Sequence, residues 1–209
     1  MTKGHGYRLV LASASPRRRQ LLRQAGIPFT SRPAHVNEAR RAGEPPAEYA
    51  QRLARDKARA VQRQFPNALV LGADTIVVVK RQILGKPRDA ADAARMLRLL
   101  SGRSHQVITG VALLGVTGNK KTTKPTTLED VRCVTTEVFF NRLREEQIRS
   151  YVASGEPMDK AGAYAIQGRA SRWIPKISGD YCNVVGLPVS LVAQMLEQAV
   201  SRAISFRPR

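Results

Sequence analysis

One carboxylate, Asp74, stands beside Thr75 inside an otherwise apolar run from Leu69 to Val79. An acid there costs several kcal/mol unless it is paired, metal-bound or set at a strand break facing a cleft. That makes Asp74 the best single catalytic candidate on chemistry alone. A second group, Ser13-Ala14-Ser15-Pro16-Arg17-Arg18-Arg19, joins two hydroxyls to three guanidinium groups at the start of a helical pattern. Helix N-termini attract phosphate through their backbone N–H groups and dipole, and arginine adds charged, forked donors. The plainer reading of that group is an ordinary N-cap followed by a solvated basic turn.

Two further runs carry polar chemistry. Gly85-Lys86-Pro87 projects a lysine from a turn, although a hairpin end would look the same. It is not a Walker loop, because no GxxxxGK(S/T) occurs in the chain. The run Glu156-Pro157-Met158-Asp159-Lys160-Ala161-Gly162-Ala163-Tyr164-Ala165-Ile166-Gln167-Gly168 combines acids, a lysine and an amide. Gln167 with backbone groups suits a uracil-like imide, which offers one donor between two acceptors. Histidines 5, 35 and 105 lack metal-ligand spacing, so Asp and Glu oxygens favour magnesium or manganese.

The elements that must position these groups follow from local pattern. Leu9–Ala12 reads as a buried strand, Ser15 as an N-cap, Pro16 as the first helical residue and Gly26 as the stop. Residues Pro33 to Pro46 are polar and irregular. A helix is predicted over Ala47–Phe65, with Ala50, Leu53, Ala54, Ala58, Val61 and Phe65 on one stripe. Ala68–Val79 is strand-like but interrupted by Gly72-Ala73-Asp74-Thr75, and Lys80-Arg81-Gln82 turns the chain. Asp89–Leu100 is helical, closed by Gly102. Gln106–Leu114 and Val131–Phe140 read as paired strands around an exposed loop, Thr117–Thr127. Leu143–Ala153 is helical, short strands are predicted at Gly162–Ile166 and Trp173–Ile177, and a final helix covers Pro188–Ser205. The tail Arg207-Pro208-Arg209 is expected to fray. This irregular alternation indicates an α/β fold with a mixed sheet.

The chain has 35 Lys+Arg against 16 Asp+Glu, a formal charge of +19, which favours polyanionic ligands. Arginine predominates, and its planar fork suits bidentate phosphate contacts. No apolar run approaches the ~20 residues of a membrane span, and the N-terminus lacks a signal-type stretch. Cys133 and Cys182 have no metal spacing and make no disulfide framework, so a cytoplasmic location with reduced thiols is expected.

Taken together, the motifs resemble the Maf family, septum-formation-inhibitor-like nucleotide pyrophosphatases, over nearly the whole chain. The matching segments are LASASPRRRQLL, Val36-Asn37-Glu38, ARDKA, GADTIV, LGKP, LSGRSHQVITGV, TTEVFF, EPMDKAGAYAIQG and GDYCNVVGLPV, in that order. The resemblance implies one domain over residues 1–209, with an elongated mixed sheet flanked by helices and a central nucleotide-binding cleft between two lobes. It implies hydrolysis of nucleoside triphosphates to monophosphate and pyrophosphate with a divalent cation, Mg²⁺ or Mn²⁺. By the same resemblance Asp74 is the catalytic carboxylate. Arg17, Thr75 and Gln167 set substrate choice. Ser15, Arg18, Lys57 and Lys86 bind phosphate, and Glu38 joins Asp74 as a metal partner. The DKAGAYAIQG version is similar to the subgroup acting on dTTP, UTP and modified pyrimidine nucleotides. Two departures stand out: a long basic loop at residues 115–127, and Asn37 where relatives often carry an acid, which predicts weaker metal binding.

Two rivals remain at this level. One is a pyrophosphatase for another nucleotide, such as 7-methyl-GTP. The other is a division-regulating or nucleic-acid-binding protein with a vestigial pocket, which the charge favours but the 5% aromatic content does not. A family-type homodimer is compatible with the resemblance.

Overall fold

The computed structural model describes residues 7–117 and 126–205, and the terminal tail and most of the basic loop lie outside them. The elements are β1 (Leu9–Leu11), α1 (Pro16–Gln24), β2 (Thr30–Ser31), α2 (Pro46–Gln62), β3 (Leu69–Val79), β4 (Gln82–Leu84) and α3 (Ala90–Leu100). There follow β5 (Ser104–Thr117), β6 (Thr126–Phe139), α4 (Glu145–Ala153), β7 (Lys176–Ser178), α5 (Tyr181–Val185) and α6 (Val189–Ser205). They form a seven-stranded sheet in the order β2-β1-β3-β5-β6-β7, with β4 also on β3. The sheet is mixed, as expected: β1 pairs in parallel with β2 and β3, whereas β4 and β7 pair antiparallel with β3 and β6. Among the described residues no helix is long and apolar enough to cross a membrane.

The chain divides into two compact units. The first holds the described residues up to Asp74, Gly110–Cys133 and those from Leu187 on; the second holds Thr75–Thr109 and Val134–Gly186. In the first unit, Val10, Val70, Ala112 and Leu114 from the strands, with Ala12 just after β1, meet Ala54, Ala58 and Val61 of α2. The fit depends on small residues. A Cβ on Gly72 would lie 2.1 Å from the Ala54 carbonyl oxygen, and one on Gly110 would lie 2.3 Å from that of Ala50. Alanines four apart share a helix face, so the stripe 50–54–58 rests directly on backbone. In the second unit, Met96, Leu97 and Leu100 of α3 pack with Val77, Phe140, Ile148, Tyr151, Tyr164 and Trp173.

Several expectations need correction. Gly72-Ala73-Asp74-Thr75 does not interrupt β3, which is continuous; Gly72 answers the close approach of α2, not a break. No strand covers 162–166. Ala161–Ala163 is a 3-10 turn with Ala163 at φ 61°, and further 3-10 turns span Glu156–Asp159 before it and Arg169–Trp173 before β7. Here side-chain anchoring of a tight loop overrides the apolar pattern. The helix expected to reach Phe65 ends at Gln62, and Phe65 lies beyond it with Arg8 and Arg32 over its ring. The strands of the 106–140 pair are longer than expected, taking Thr117 and Thr126 from the ends of the loop. The turn at Lys80 and Arg81 holds both residues at positive φ, 48° and 64°, the geometry of a tight hairpin. The short elements β2 and α5 had no sequence expectation.

Candidate active site

In the first unit the site grows from the start of α1. Ser15 caps the helix by accepting from the Arg18 N–H at 3.4 Å, and Pro16 takes the first helical position, as expected. Buried Ser13 accepts from the Ser15 N–H at 3.2 Å, and its carbonyl accepts from the Ser31 hydroxyl at 2.7 Å. Arg18 folds back from α1. Its Nη1 donates to Ser13 Oγ at 3.2 Å and to the Ala73 carbonyl at 2.8 Å. Arg18 therefore fastens the helix start to the residue before Asp74. Burial draws the guanidinium below its ordinary pKa, and the Asp74 carboxylate opposes that pull.

Asp74 is 8% exposed. It lies two residues beyond Gly72, on the same face of β3, towards α2. From α2, Lys57 Nζ donates to Asp74 Oδ1 at 2.6 Å and lies 2.7 Å from Glu38 Oε1. One ammonium thus bridges two carboxylates that are 36 residues apart in sequence.

Glu38 reaches this position because its loop is tied to α2. The Tyr49 hydroxyl donates to the Glu38 carbonyl at 2.7 Å, and Arg52 Nη2 donates to the Ala39 carbonyl at 3.0 Å. Arg52 also grips buried Glu44 with two bonds of 2.6 and 2.8 Å, which hold the Glu44 pKa down to about 2. Asn37 has a structural task of its own beside Glu38. Its Oδ1 accepts from the Ala39 N–H at 2.9 Å and shapes the turn that presents Glu38. Tyr49, Arg52 and Glu44 had no sequence-level signal beyond lying near the ARDKA segment.

Among the described residues there is no cluster of three or more His, Cys, Asp or Glu side chains arranged for a metal ion. A closed, all-protein metal cage does not fit here. An open site does, because Mg²⁺ commonly takes one or two carboxylates and completes its shell with water and substrate phosphates. Asp74 and Glu38, already turned towards one cation, are the residues that would hold it.

In the second unit, Thr75 is fixed from the other side of β3. Its hydroxyl is 2.9 Å from that of Thr109 and also donates to the Gly186 carbonyl at 3.3 Å. Fully buried Thr109 donates to the Asn183 carbonyl, and the Asn183 amide donates to Val107 and Thr136 at 3.0 and 2.9 Å. Thr109 and Asn183 lie within motifs that the sequence reading quoted, but it gave them no role. Lys86 is exposed on the bend after β4. The Gly162 N–H donates to the Gly85 carbonyl at 3.0 Å, which joins the GKP bend to the 156–168 run. Gln167 is exposed on the turn that ends that run, and Arg17 is half-buried in the first turn of α1.

Lys57, Asp74 and Glu38 are therefore bonded together, and Ser15 and Arg18 adjoin them through the Arg18 bond to the Ala73 carbonyl. The family described as Maf-like protein matches residues 8–199. A dTTP/UTP pyrophosphatase of Koribacter versatilis (strain Ellin345) is 54% identical over 194 residues, 93% of this chain and 95% of that protein. One of the same description from Symbiobacterium thermophilum is 56% identical over 190 residues, 91% of this chain and 93% of its own. A third, from Geobacter sp. (strain M21), is 52% identical over 188 residues, 90% of this chain and 93% of its own length. The Lys57 bridge between Asp74 and Glu38 and the Arg18 tie to the Ala73 carbonyl lie inside the matched stretch, and the chain belongs to the Maf-like protein family.

Proposed function

We propose that this chain hydrolyses dTTP and UTP to the nucleoside monophosphate and pyrophosphate, a nucleotide-pool reaction of the cytosol. The observation that carries the reading is the bridge of Lys57 between Asp74 and Glu38, beside a helix start tied to Ala73 by Arg18. Relatives of 52 to 56% identity bear the dTTP/UTP pyrophosphatase description, which supports this substrate class.

In this reading water attacks the α-phosphorus in line. A new oxygen–phosphorus bond forms, the bond from that phosphorus to the bridging oxygen breaks, and pyrophosphate leaves. Asp74 orients the water and takes its proton. The positive end of α1, Ser15 and Arg18 hold phosphate oxygens, with Lys86 a further phosphate contact from its exposed bend. Lys57 exchanges part of its carboxylate contact for charge on the substrate. Two carboxylates against Lys57 and Arg18 leave the cluster balanced, so a triphosphate brings an excess of negative charge that calls for a divalent cation. A bound Mg²⁺ or Mn²⁺ would neutralise phosphate charge and lower the pKa of a bound water. Arg17, Thr75 and Gln167 select the base, and Gln167 is the group that reads a pyrimidine imide.

The test is a panel of dTTP, UTP, CTP, ATP and 7-methyl-GTP with Mg²⁺ or Mn²⁺, resolving pyrophosphate from orthophosphate. Pyrophosphate from dTTP and UTP is expected. Preference for 7-methyl-GTP, or orthophosphate as the product, would overturn the reading.

A further inference from the structure

Gln167 has an exposed side chain, yet the backbone that carries it is held on both sides. Two residues before it, the Ala165 N–H donates to the Tyr151 hydroxyl at 3.2 Å. Two residues after it, the Arg169 N–H donates to both carboxylate oxygens of Glu156, at 3.1 and 3.3 Å. The two anchors are themselves joined, because the Tyr151 hydroxyl donates to Glu156 Oε1 at 2.9 Å. Between them the Gly168 N–H closes the turn onto the Ala165 carbonyl at 3.1 Å.

Gly168 is what lets Glu156 in. A Cβ at that position would lie 1.9 Å from Glu156 Oε1, so any other residue would expel the carboxylate from its seat. The glutamate and glycine that begin and end the EPMDKAGAYAIQG run therefore occupy one place in space. Tyr151 is rigid in turn: it is fully buried in α4 and meets Trp173 edge to face, with ring centres 5.3 Å apart. Burial pushes its phenol well above the ordinary range, so it stays a protonated donor.

We infer that Tyr151 and Glu156 are positioning residues for substrate choice, forming a clamp that holds the backbone of the Gln167 turn so that its amide meets the base in one orientation. The inference rests on the assignment of Gln167 as a base-reading residue. Neither clamp residue touches substrate in this account. Their effect passes through Gln167, and that distinguishes them from groups that only stabilise the fold.

The experiment is steady-state hydrolysis of UTP, dTTP and CTP by the full chain and by Tyr151→Phe, Glu156→Gln and Gln167→Ala. The doubles that join each clamp variant to Gln167→Ala complete the set. Tyr151→Phe keeps the ring on Trp173, so it supplies the answer even where Glu156→Gln fails to fold. Each clamp variant is expected to raise KM for UTP roughly three- to tenfold, the worth of one organised hydrogen bond, with kcat within about twofold. The preference for UTP over CTP should fall by the same factor. In the Gln167→Ala background, adding either clamp substitution should move that preference by less than about twofold. Wild-type KM and preference in the single clamp variants would overturn the inference. So would an equal loss with and without Gln167, which would mark a general structural role. An unchanged preference in Gln167→Ala alone would instead overturn the assignment of Gln167, and the clamp's role in specificity with it.

Discussion

Lys57 Nζ donates to Asp74 Oδ1 at 2.6 Å across a helix–strand contact that only small residues permit. The same ammonium meets Glu38, so the one buried acid of β3 is neither unpaired nor locked into an isolated pair. In the proposed mechanism this ammonium gives up part of its contact with the two carboxylates when substrate phosphate arrives.

Replacing Asp74 by Asn keeps size and a hydrogen-bond acceptor for Lys57, which also retains Glu38. Turnover of UTP by Asp74→Asn is expected to fall at least about a hundredfold, the scale of a lost general base. Its melting temperature should stay within a few degrees of the wild type. Near-normal pyrophosphate release would remove Asp74 from its role.

Lys57→Met leaves the Asp74 and Glu38 carboxylates facing each other without their shared cation. Breaking a largely buried pair from one side should cost about 3 kcal/mol, read by urea unfolding. If the two acids form the open cation site, millimolar Mg²⁺ or Mn²⁺ should raise the melting temperature of this variant more than that of the wild type. An equal response of both proteins would count against that placement.

Gly72→Ala puts a methyl 2.1 Å from the Ala54 carbonyl oxygen, so α2 must move off β3 and carry Lys57 away from Asp74. The expected cost is about 3 kcal/mol, together with lost activity. Gly85→Ala is the control, since a Cβ there meets nothing within 4 Å. Thermal melts of the two variants side by side check the contrast.

His105 is buried against Phe140 and Tyr164, with Nε2 2.7 Å from the Tyr164 hydroxyl. Burial lowers its pKa from 6.5 to about 4. The unfolded chain therefore binds a proton that the folded chain refuses between those values. Stability is intact above pH 6.5 and falls as pH drops through 6.5 towards about 4, by roughly 3 kcal/mol in all. Urea unfolding at a series of pH values should show this slope in the wild type and lose it in His105→Phe. Buried Glu44 acts in the same direction lower down, losing its contribution as pH falls through its folded value of about 2.

Much of this site was legible in the residues. Asp74 announced itself as a charge in an apolar strand, and Ser15-Pro16 announced a helix start, because burial cost and capping are local rules. The family resemblance put Lys57 and Glu38 in the same site. Their common bridge to Asp74 depends on α2 resting on Gly72 and Gly110, a contact between segments far apart in sequence. The strand pattern over Gly162–Ile166 fails for a related reason. The conformation of that segment is set by Tyr151 and Glu156 lying upstream, not by its own apolar alternation.

The measurement that bears most directly on the central claim is hydrolysis of UTP by the full chain in water enriched in heavy oxygen, with the products separated by mass. Attack at the α-phosphorus predicts the label in UMP and none in pyrophosphate. Label in pyrophosphate or in orthophosphate would contradict the account.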